Sequence, residues 1–360
     1  MKILHTADNH IGFEAFSHID KRSGINLRGL DYLESFKNIC KIAISEKVDL
    51  FIIAGDMFDN PQPNQYYIIE SMRMLKKISK TGITTLIING NTDLARETPL
   101  AYLGEIDNVY VVTKPTTLIL GSYDIVCVPY SVGDFSTMLE KALESSPSEN
   151  KILVSHLSLK SAIHSSESRE EIASIDASII PDKFIYAALG HVHKFQQVNY
   201  SIPLFYSGSS ERLDFSEEGE DKYTLLIEVD GVVSVKPFRL PIRKMHTFEL
   251  DCCGLKVNDI TKKIDELIEE NQSSINNAII KVTLYNVEIN EKKNIDITSI
   301  KNKFSSAFEF IIETYSKRET TKVESLPNIE EDINNRLKSL TQDDYERLKA
   351  IKEDIWRCSR

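Results

Sequence analysis

Five short apolar runs in the first 240 residues each stop at a cluster of aspartate, asparagine or histidine. That coincidence limits the possible folds more than any other feature of the sequence. The runs are Lys2–His5, Leu50–Ala54, Ile83–Asn89, Ile152–Ser155 and Phe184–Leu189, and each reads as a buried strand. The clusters that follow them are Asp8-Asn9-His10, Gly55-Asp56-Met57-Phe58-Asp59, Gly90-Asn91-Thr92-Asp93, Ser155-His156 and Gly190-His191-Val192-His193. Loops at the carboxyl ends of strands are where α/β sheets place their sites. The pattern therefore predicts an α/β fold that gathers five loops at one edge.

The segments between these runs support that reading. Leu30, Leu33, Phe36 and Cys40 recur at helical spacing, and a second helix is expected over about Asn64–Lys80, closed by Gly82. The second helix is apolar almost all round, which suits burial either at the centre of the fold or between the core and a second subunit. Val109–Val112, Thr117–Leu120, Ile125–Pro129, Leu204–Tyr206, Tyr223–Val229 and Val232–Phe238 read as further strands. Together they imply a β-sandwich flanked by helices over residues 1–240. After Leu240–Met245 the pattern changes. Thr247–Leu250, Val257–Glu269, Ala278–Val287, Ile297–Phe304 and Phe308–Thr314 predict β-α-β-α-β, a small α+β domain over 241–316. The remaining 317–360 is charged, with helical stripes at Ile329–Leu340 and Asp343–Trp356 that pack either on the domains or on a partner.

Composition removes several classes. No apolar run approaches the ~20 residues of a membrane span. The start, Met1-Lys2-Ile3-Leu4-His5, lacks a signal-peptide layout, and with the cysteine usage this makes the cytoplasm the expected location. Five cysteines with no Cys-x-x-Cys spacing argue against a disulfide framework or zinc ribbon. The net charge of −11 argues against coating DNA by bulk charge. It leaves a nuclease open, because bound cations invert the potential of an acidic site and phosphate contacts need only a local basic patch.

Four of the eight histidines fall in the five clusters. Asp, Asn and His together suit an ion of intermediate hardness such as manganese. In this order, D-x-H, G-D-x-x-D, G-N-x-D, a lone histidine and G-H-x-H resemble the calcineurin-like metallophosphoesterases. Tyr206-Ser207-Gly208-Ser209-Ser210-Glu211-Arg212-Leu213-Asp214-Phe215-Ser216-Glu217, with the opening His5-Thr6-Ala7-Asp8-Asn9-His10-Ile11-Gly12, resembles the SbcD-type nucleases, the meiotic recombination eleven family. Asp59 is followed by Asn60-Pro61 rather than Arg-Gly, which disfavours the protein-phosphatase branch.

The resemblance implies two divalent ions, most simply Mn²⁺. Asp8, His10 and His193 would bind the first and Asn91, His156 and His191 the second, with Asp56 bridging. It further implies DNA ends as substrate, exonuclease and endonuclease activity, and a homodimer built on helices near the site. The implied partner is a coiled-coil SMC-like ATPase of the Rad-fifty or SbcC type, contacted by C-terminal helices. It makes 241–316 a capping domain that meets DNA. Lys21, Arg22 and Arg28 flank the first motif in a loop that would either touch phosphates or stay solvated. Arg212 would either meet phosphate or pair with Glu211 or Asp214.

One position departs from the pattern. The family's third motif carries histidine where this chain has Thr92, and the following acid, here Asp93, holds that histidine. A threonine hydroxyl does not ionise near neutral pH, so it cannot act as the proton donor that an imidazole can. Three readings stay open: a deliberate substitution, a natural weak nuclease in which another group donates the proton, and a natural pseudo-nuclease. The functions these features allow are an impaired DNA-repair nuclease, an adaptor that binds DNA ends and the ATPase without cutting, and, on the same metal core, a small-molecule phosphodiesterase.

Overall fold

The computed structural model describes residues 1–93, 99–163 and 174–316. The first half runs β1 (Lys2–Thr6), α1 (Leu27–Ser45), β2 (Leu50–Ala54), α2 (Gln65–Ser79), β3 (Thr84–Ile88), α3 (Leu100–Leu103), β4 (Val109–Val112), β5 (Thr116–Leu120), β6 (Tyr123–Val128), α4 (Phe135–Leu143) and β7 (Asn150–His156). It continues through β8 (Ser158–Leu159), β9 (Ser174–Ile175), β10 (Phe184–Gly190), β11 (Gln196–Val198), β12 (Leu204–Tyr206), β13 (Tyr223–Asp230) and β14 (Val232–Arg239). The last elements are β15 (Met245–Asp251), α5 (Val257–Ile275), β16 (Ile279–Val287), α6 (Ile289–Lys292), α7 (Ile297–Lys303) and β17 (Glu309–Ser316).

Two six-stranded sheets carry the first part, in the orders β14-β13-β1-β2-β3-β4 and β11-β12-β10-β7-β6-β5. Strands β1 to β4 are mutually parallel, and so are β6, β7, β10 and β12, so their carboxyl ends lie together. The period-2 alternation of a strand divides its side chains between two cores. Ile3, Leu50, Ile52, Leu86 and Ile88 meet Ile125, Cys127, Ile152, Val154 and Ala188 between the sheets. On the outside of the first sheet Leu4, Phe51, Ile53 and Ile87 pack with Leu33, Phe36, Tyr67 and Leu75 of α1 and α2. On the outside of the second, Val126, Leu153 and Leu189 pack with Phe135 and Leu139 of α4. Strands covered on both faces carry continuous apolar runs, which is why these were legible as strands. The result is a sandwich of two sheets between helices.

Both long helices of this part begin on an asparagine cap. Asn26 accepts from the N–H groups of Arg28 and Gly29, and Asn64 accepts from that of Tyr66. The second helix was expected to be buried on two sides. Tyr67, Met74, Leu75 and Ile78 are buried, while Ile69 is exposed. The third sheet, β15-β16-β17, is parallel and has its own core of Ile260, Ile264, Ile280, Val282, Leu284, Ile300 and Phe310. Arg243 ties it to the sandwich. Its guanidinium grips both carboxylate oxygens of Asp31 at 2.6 Å, donates to Asn277 Oδ1 at 2.7 Å and lies 3.8 Å over the Phe308 ring. The helical stripes expected at Ile329–Trp356 lie outside the described residues.

Gly29 sits where α1 crosses α2, and a Cβ there would stand 1.9 Å from the Tyr67 hydroxyl oxygen. Gly29→Ala should therefore destabilise the protein by about 1–3 kcal/mol despite alanine's better helix propensity. Urea unfolding of the two forms measures it, and an unchanged midpoint would mean that Tyr67 gives way freely.

Candidate metal centre

The carboxyl ends of β1, β2, β3, β7 and β10 deliver the five clusters to one place. Asp8 N–H donates to Gly55 O at 3.0 Å and His10 N–H to Asp56 O at 3.1 Å, which clips the first loop to the second. Glycines allow the crowding. A Cβ at Gly90 would stand 2.0 Å from Asp56 Oδ1, and one at Gly190 would stand 2.0 Å from Ala54 O. The backbone is bent sharply here: Asp8, His10, Asp56 and His191 all have positive φ, an uncommon state for residues with a side chain. Such strain concentrates at functional sites, where surrounding packing enforces it.

Two donor sets form. Asp8, His10 and His193 offer one ligand atom each within 4.8 Å of one another, and so do Asp8, Asp56 and His156. Asp56 Oδ2 lies 3.9 Å from His10 Nε2 and 3.6 Å from His156 Nε2, between the two sets. Asn91 Oδ1 is 3.0 Å from both His156 Nε2 and His191 Nδ1. His191 also approaches through its backbone, whose N–H donates to both oxygens of Asp8 at 3.0 Å. The seven residues expected to hold metal are thus brought together.

Electrostatics favour cations. Burial drives the Asp8 pKa up, against the pull of the neighbouring imidazoles. Burial also opposes charge on Asp56, yet His156, His10 and the Thr92 N–H hold it well below the usual carboxylate range. Burial works against charge on His10 too, but Asp59, Asp56 and Asp8 lift its pKa to about 9; Asp56 and Asp8 do the same for His156, also to about 9. Without another cation, the buried carboxylates draw protons onto the imidazoles. The Nε2 atoms of His10 and His193 stand 3.2 Å apart, an arrangement suited to a shared cation between two neutral rings. The donors fit divalent ions of intermediate hardness.

Residues outside these sets support them. His156 Nδ1 donates to Ala54 O at 2.8 Å and His193 Nδ1 to Glu217 Oε1 at 2.9 Å, while Asp59 Oδ1 lies 3.4 Å from His10 Nδ1. Asp59 and Glu217 stand in the motifs quoted from sequence without being given a role. Nothing local marks them, because the partner of each lies on another loop. Thr92 donates its hydroxyl to Phe58 O at 2.7 Å and its N–H to Asp56 Oδ1 at 3.0 Å. Asp93 accepts from the N–H groups of Gly90, Phe58 and Met57, and burial beside Asp56 raises its pKa to about 6.

Comparison with known proteins places the chain. Residues 1–195 match the model of the calcineurin-like phosphoesterases. The chain belongs to that family. Within it, the chain is similar to the DNA double-strand break repair protein Mre11 of Sulfurisphaera tokodaii, 28% identical over 306 residues that cover 78% of this chain and 76% of that one. The Mre11 proteins of Saccharolobus solfataricus (24% identity, 78% and 74% coverage) and Methanocaldococcus jannaschii (26%, 86% and 79%) are also similar. The resemblance read from the motifs is thus found across most of the chain.

The basic residues divide. Lys21 and Arg22 are exposed in a turn. Arg28 is not in a loop: it is the second residue of α1, 1% exposed, and it pairs with Asp31 and Glu211 and donates to Arg212 O. Arg212 is buried as well, and its guanidinium donates to the carbonyls of Glu220 and Arg243 rather than to Glu211 or Asp214. Both guanidiniums are held by partners within the chain. Of the histidines left without a role, buried His5 bonds the Tyr186 hydroxyl at 2.9 Å and burial lowers its pKa to about 3. His18 meets Glu309, and His164 lies outside the described residues. Among the described residues no helix is long and apolar enough to cross a membrane.

Arg28→Ala should cost about 3–5 kcal/mol, because it strands the buried Glu211 carboxylate without its cation. Denaturant unfolding checks this, and a loss of less than 1 kcal/mol would mean that Glu211 takes up a proton cheaply.

Proposed function

We propose that this chain is the nuclease subunit of a DNA double-strand-break repair complex, hydrolysing phosphodiesters at a dinuclear centre. The observation that carries the reading is the convergence of Asp8, His10, Asp56, Asn91, His156, His191 and His193 in a chain similar to Mre11 repair proteins over about three quarters of its length. Asp8, His10 and His193 would hold one ion, and Asn91, His156 and His191 the other, with Asp56 shared. Manganese suits this mixture of oxygen and nitrogen donors. Such ions supply phosphate binding, a nucleophile at neutral pH and neutralisation of the leaving oxygen.

The chain's own residues do the rest. Glu217 orients His193 and the carbonyl of Ala54 orients His156, so their other ring nitrogens face the centre, and the Asp59 carboxylate lies 3.4 Å from His10 Nδ1. Thr92 takes the place from which a relative's histidine would meet the leaving group. Its hydroxyl is already committed to Phe58 O and does not titrate near neutral pH, so the chain is a nuclease with reduced turnover. Lys21 and Arg22, exposed beside the first motif, would meet duplex phosphates without reading sequence.

Residues 241–316 would cap the duplex, and a coiled-coil SMC-like ATPase would be the partner. A homodimer through the α2 side is supported by Ile69, which exposes a large apolar side chain on that helix. Thr92 also favours a second reading, an adaptor that holds DNA ends and the ATPase without cutting. The third sheet speaks against a small-molecule phosphodiesterase.

Metal analysis with Mn²⁺ in excess should give two ions per chain, and fewer would undo the ligand assignments. On a labelled linear duplex with Mn²⁺, Thr92→His should cut about 10²–10⁴ times faster than the present chain. Asp56→Ala in the Thr92→His background is the inactive control. Cutting by neither form, even beside the ATPase, favours the adaptor; equal cutting means that another group donates the proton.

A further inference from the structure

The short 3-10 turn Phe215–Glu217 touches a member of the metal centre on one side and the third sheet on the other. On the inner side, Glu217 Oε1 accepts from His193 Nδ1 at 2.9 Å, which leaves His193 Nε2 facing His10. Its second oxygen is 2.6 Å from Lys222 Nζ, and that ammonium also donates to the His193 carbonyl at 3.0 Å. Lys222 and Glu217 are 1% and 3% exposed, so the acid is neutralised and fixed where it stands. On the outer side, the Lys281 ammonium of β16 lies 4.5 Å over the Phe215 ring. Glu218 Oε1 accepts from the Thr247 N–H of β15 at 2.7 Å, and Glu211 Oε2 accepts from the Arg243 N–H at 3.2 Å.

We propose that Glu217 is a positioning residue for His193 and that the third sheet, acting through this turn, sets where Glu217 stands. The inference rests on the reading of His193 as a metal ligand. A carboxylate that accepts from the far nitrogen of a ligating imidazole fixes its tautomer and its direction. His156 is oriented instead by the Ala54 carbonyl, His10 lies 3.4 Å from the Asp59 carboxylate, and His191 meets Asn91. Glu217 therefore acts on the Asp8–His10–His193 set alone. Because coupling between two equilibria is reciprocal, an ion on that set and the docked position of the third sheet stabilise each other equally. A duplex or protein that shifts the sheet would loosen one ion and leave the other.

Manganese titration calorimetry of the full chain tests this, with amide hydrogen exchange at Thr247 as a second readout. Glu217→Gln should weaken one of two ions about 10–100-fold and leave the other unchanged. Glu218→Ala combined with Lys281→Ala should weaken the same ion by roughly 3–10-fold. In the unsubstituted chain Mn²⁺ should slow exchange at Thr247, and in Glu217→Gln it should not. Unaltered binding of both ions by Glu217→Gln, or equal weakening of both, would overturn the positioning role. Unaltered binding by the double variant would overturn the link to the sheet. Should Glu217→Gln fail to fold, the double variant, which leaves the buried pair intact, still decides the link, and Glu217→Asp, which keeps the charge, takes over the test of positioning. Fewer than two ions on the unsubstituted chain would instead bring down the site reading beneath the proposal.

Discussion

The structure depends on keeping two carboxylates, Asp8 and Asp56, out of water and close together at the ends of parallel strands. Isolated buried charge of one sign is costly, so it must be met by protons, cations or hydrogen bonds. Here the compensation comes from all sides: the imidazoles of His10, His156 and His193, the N–H groups of Thr92 and His191, and the loops clipped around them. The positive φ angles at Asp8, His10, Asp56 and His191 follow from the same demand, since only bent backbone can turn so many donors into one volume. The two-sheet core is the rigid support that makes such bending sustainable.

Around this centre lies a second tier of buried charge that holds loops rather than ligands. Arg28, Asp31, Glu211 and Arg243 form a chain of pairs from α1 through the 207–217 segment to the third sheet. Lys222 and Glu217 form another, ending on His193. Breaking such a pair leaves an uncompensated charge in a dry environment, so removing either partner alone is costly. The segment that resembles the repair nucleases most closely is where the two tiers meet, which gives its residue types a physical reason: Glu211 and Glu217 each serve a different neighbour.

Much of the fold was legible in the sequence. Leu50–Ala54 and Leu204–Tyr206 were read with their bounds as found, because strands buried on both faces are uninterrupted apolar runs; the bounds of the edge strand Val109–Val112 also match, although Tyr110 is exposed. After residue 240 the three strands and the helices α5 and α7 were legible because periodicity switches between 2 and 3.6, whereas the four-residue α6 was not. The short Ser158–Leu159 and Ser174–Ile175 pair was not, since two residues carry no period. The seven clustered donors were legible because each sits where its strand ends. Asp59 and Glu217 were visible as motif letters only, since what each holds comes from a loop far away in sequence.

The basic residues mark the boundary between the two kinds of knowledge. From sequence alone Lys21, Arg22, Arg28 and Arg212 look alike, as charged side chains beside motifs that bind anions. Tertiary structure separates them: two stay in a solvated turn, and two are buried among carboxylates and carbonyls. Sequence by itself determined the longer strands and helices and the residue types that gather at the strand ends, because those depend on local period and on residue chemistry. Only the tertiary structure decided which charges face one another. Burial and partner geometry are set by segments far apart in the sequence, as with Arg28 and Glu211, and no local pattern encodes that pairing.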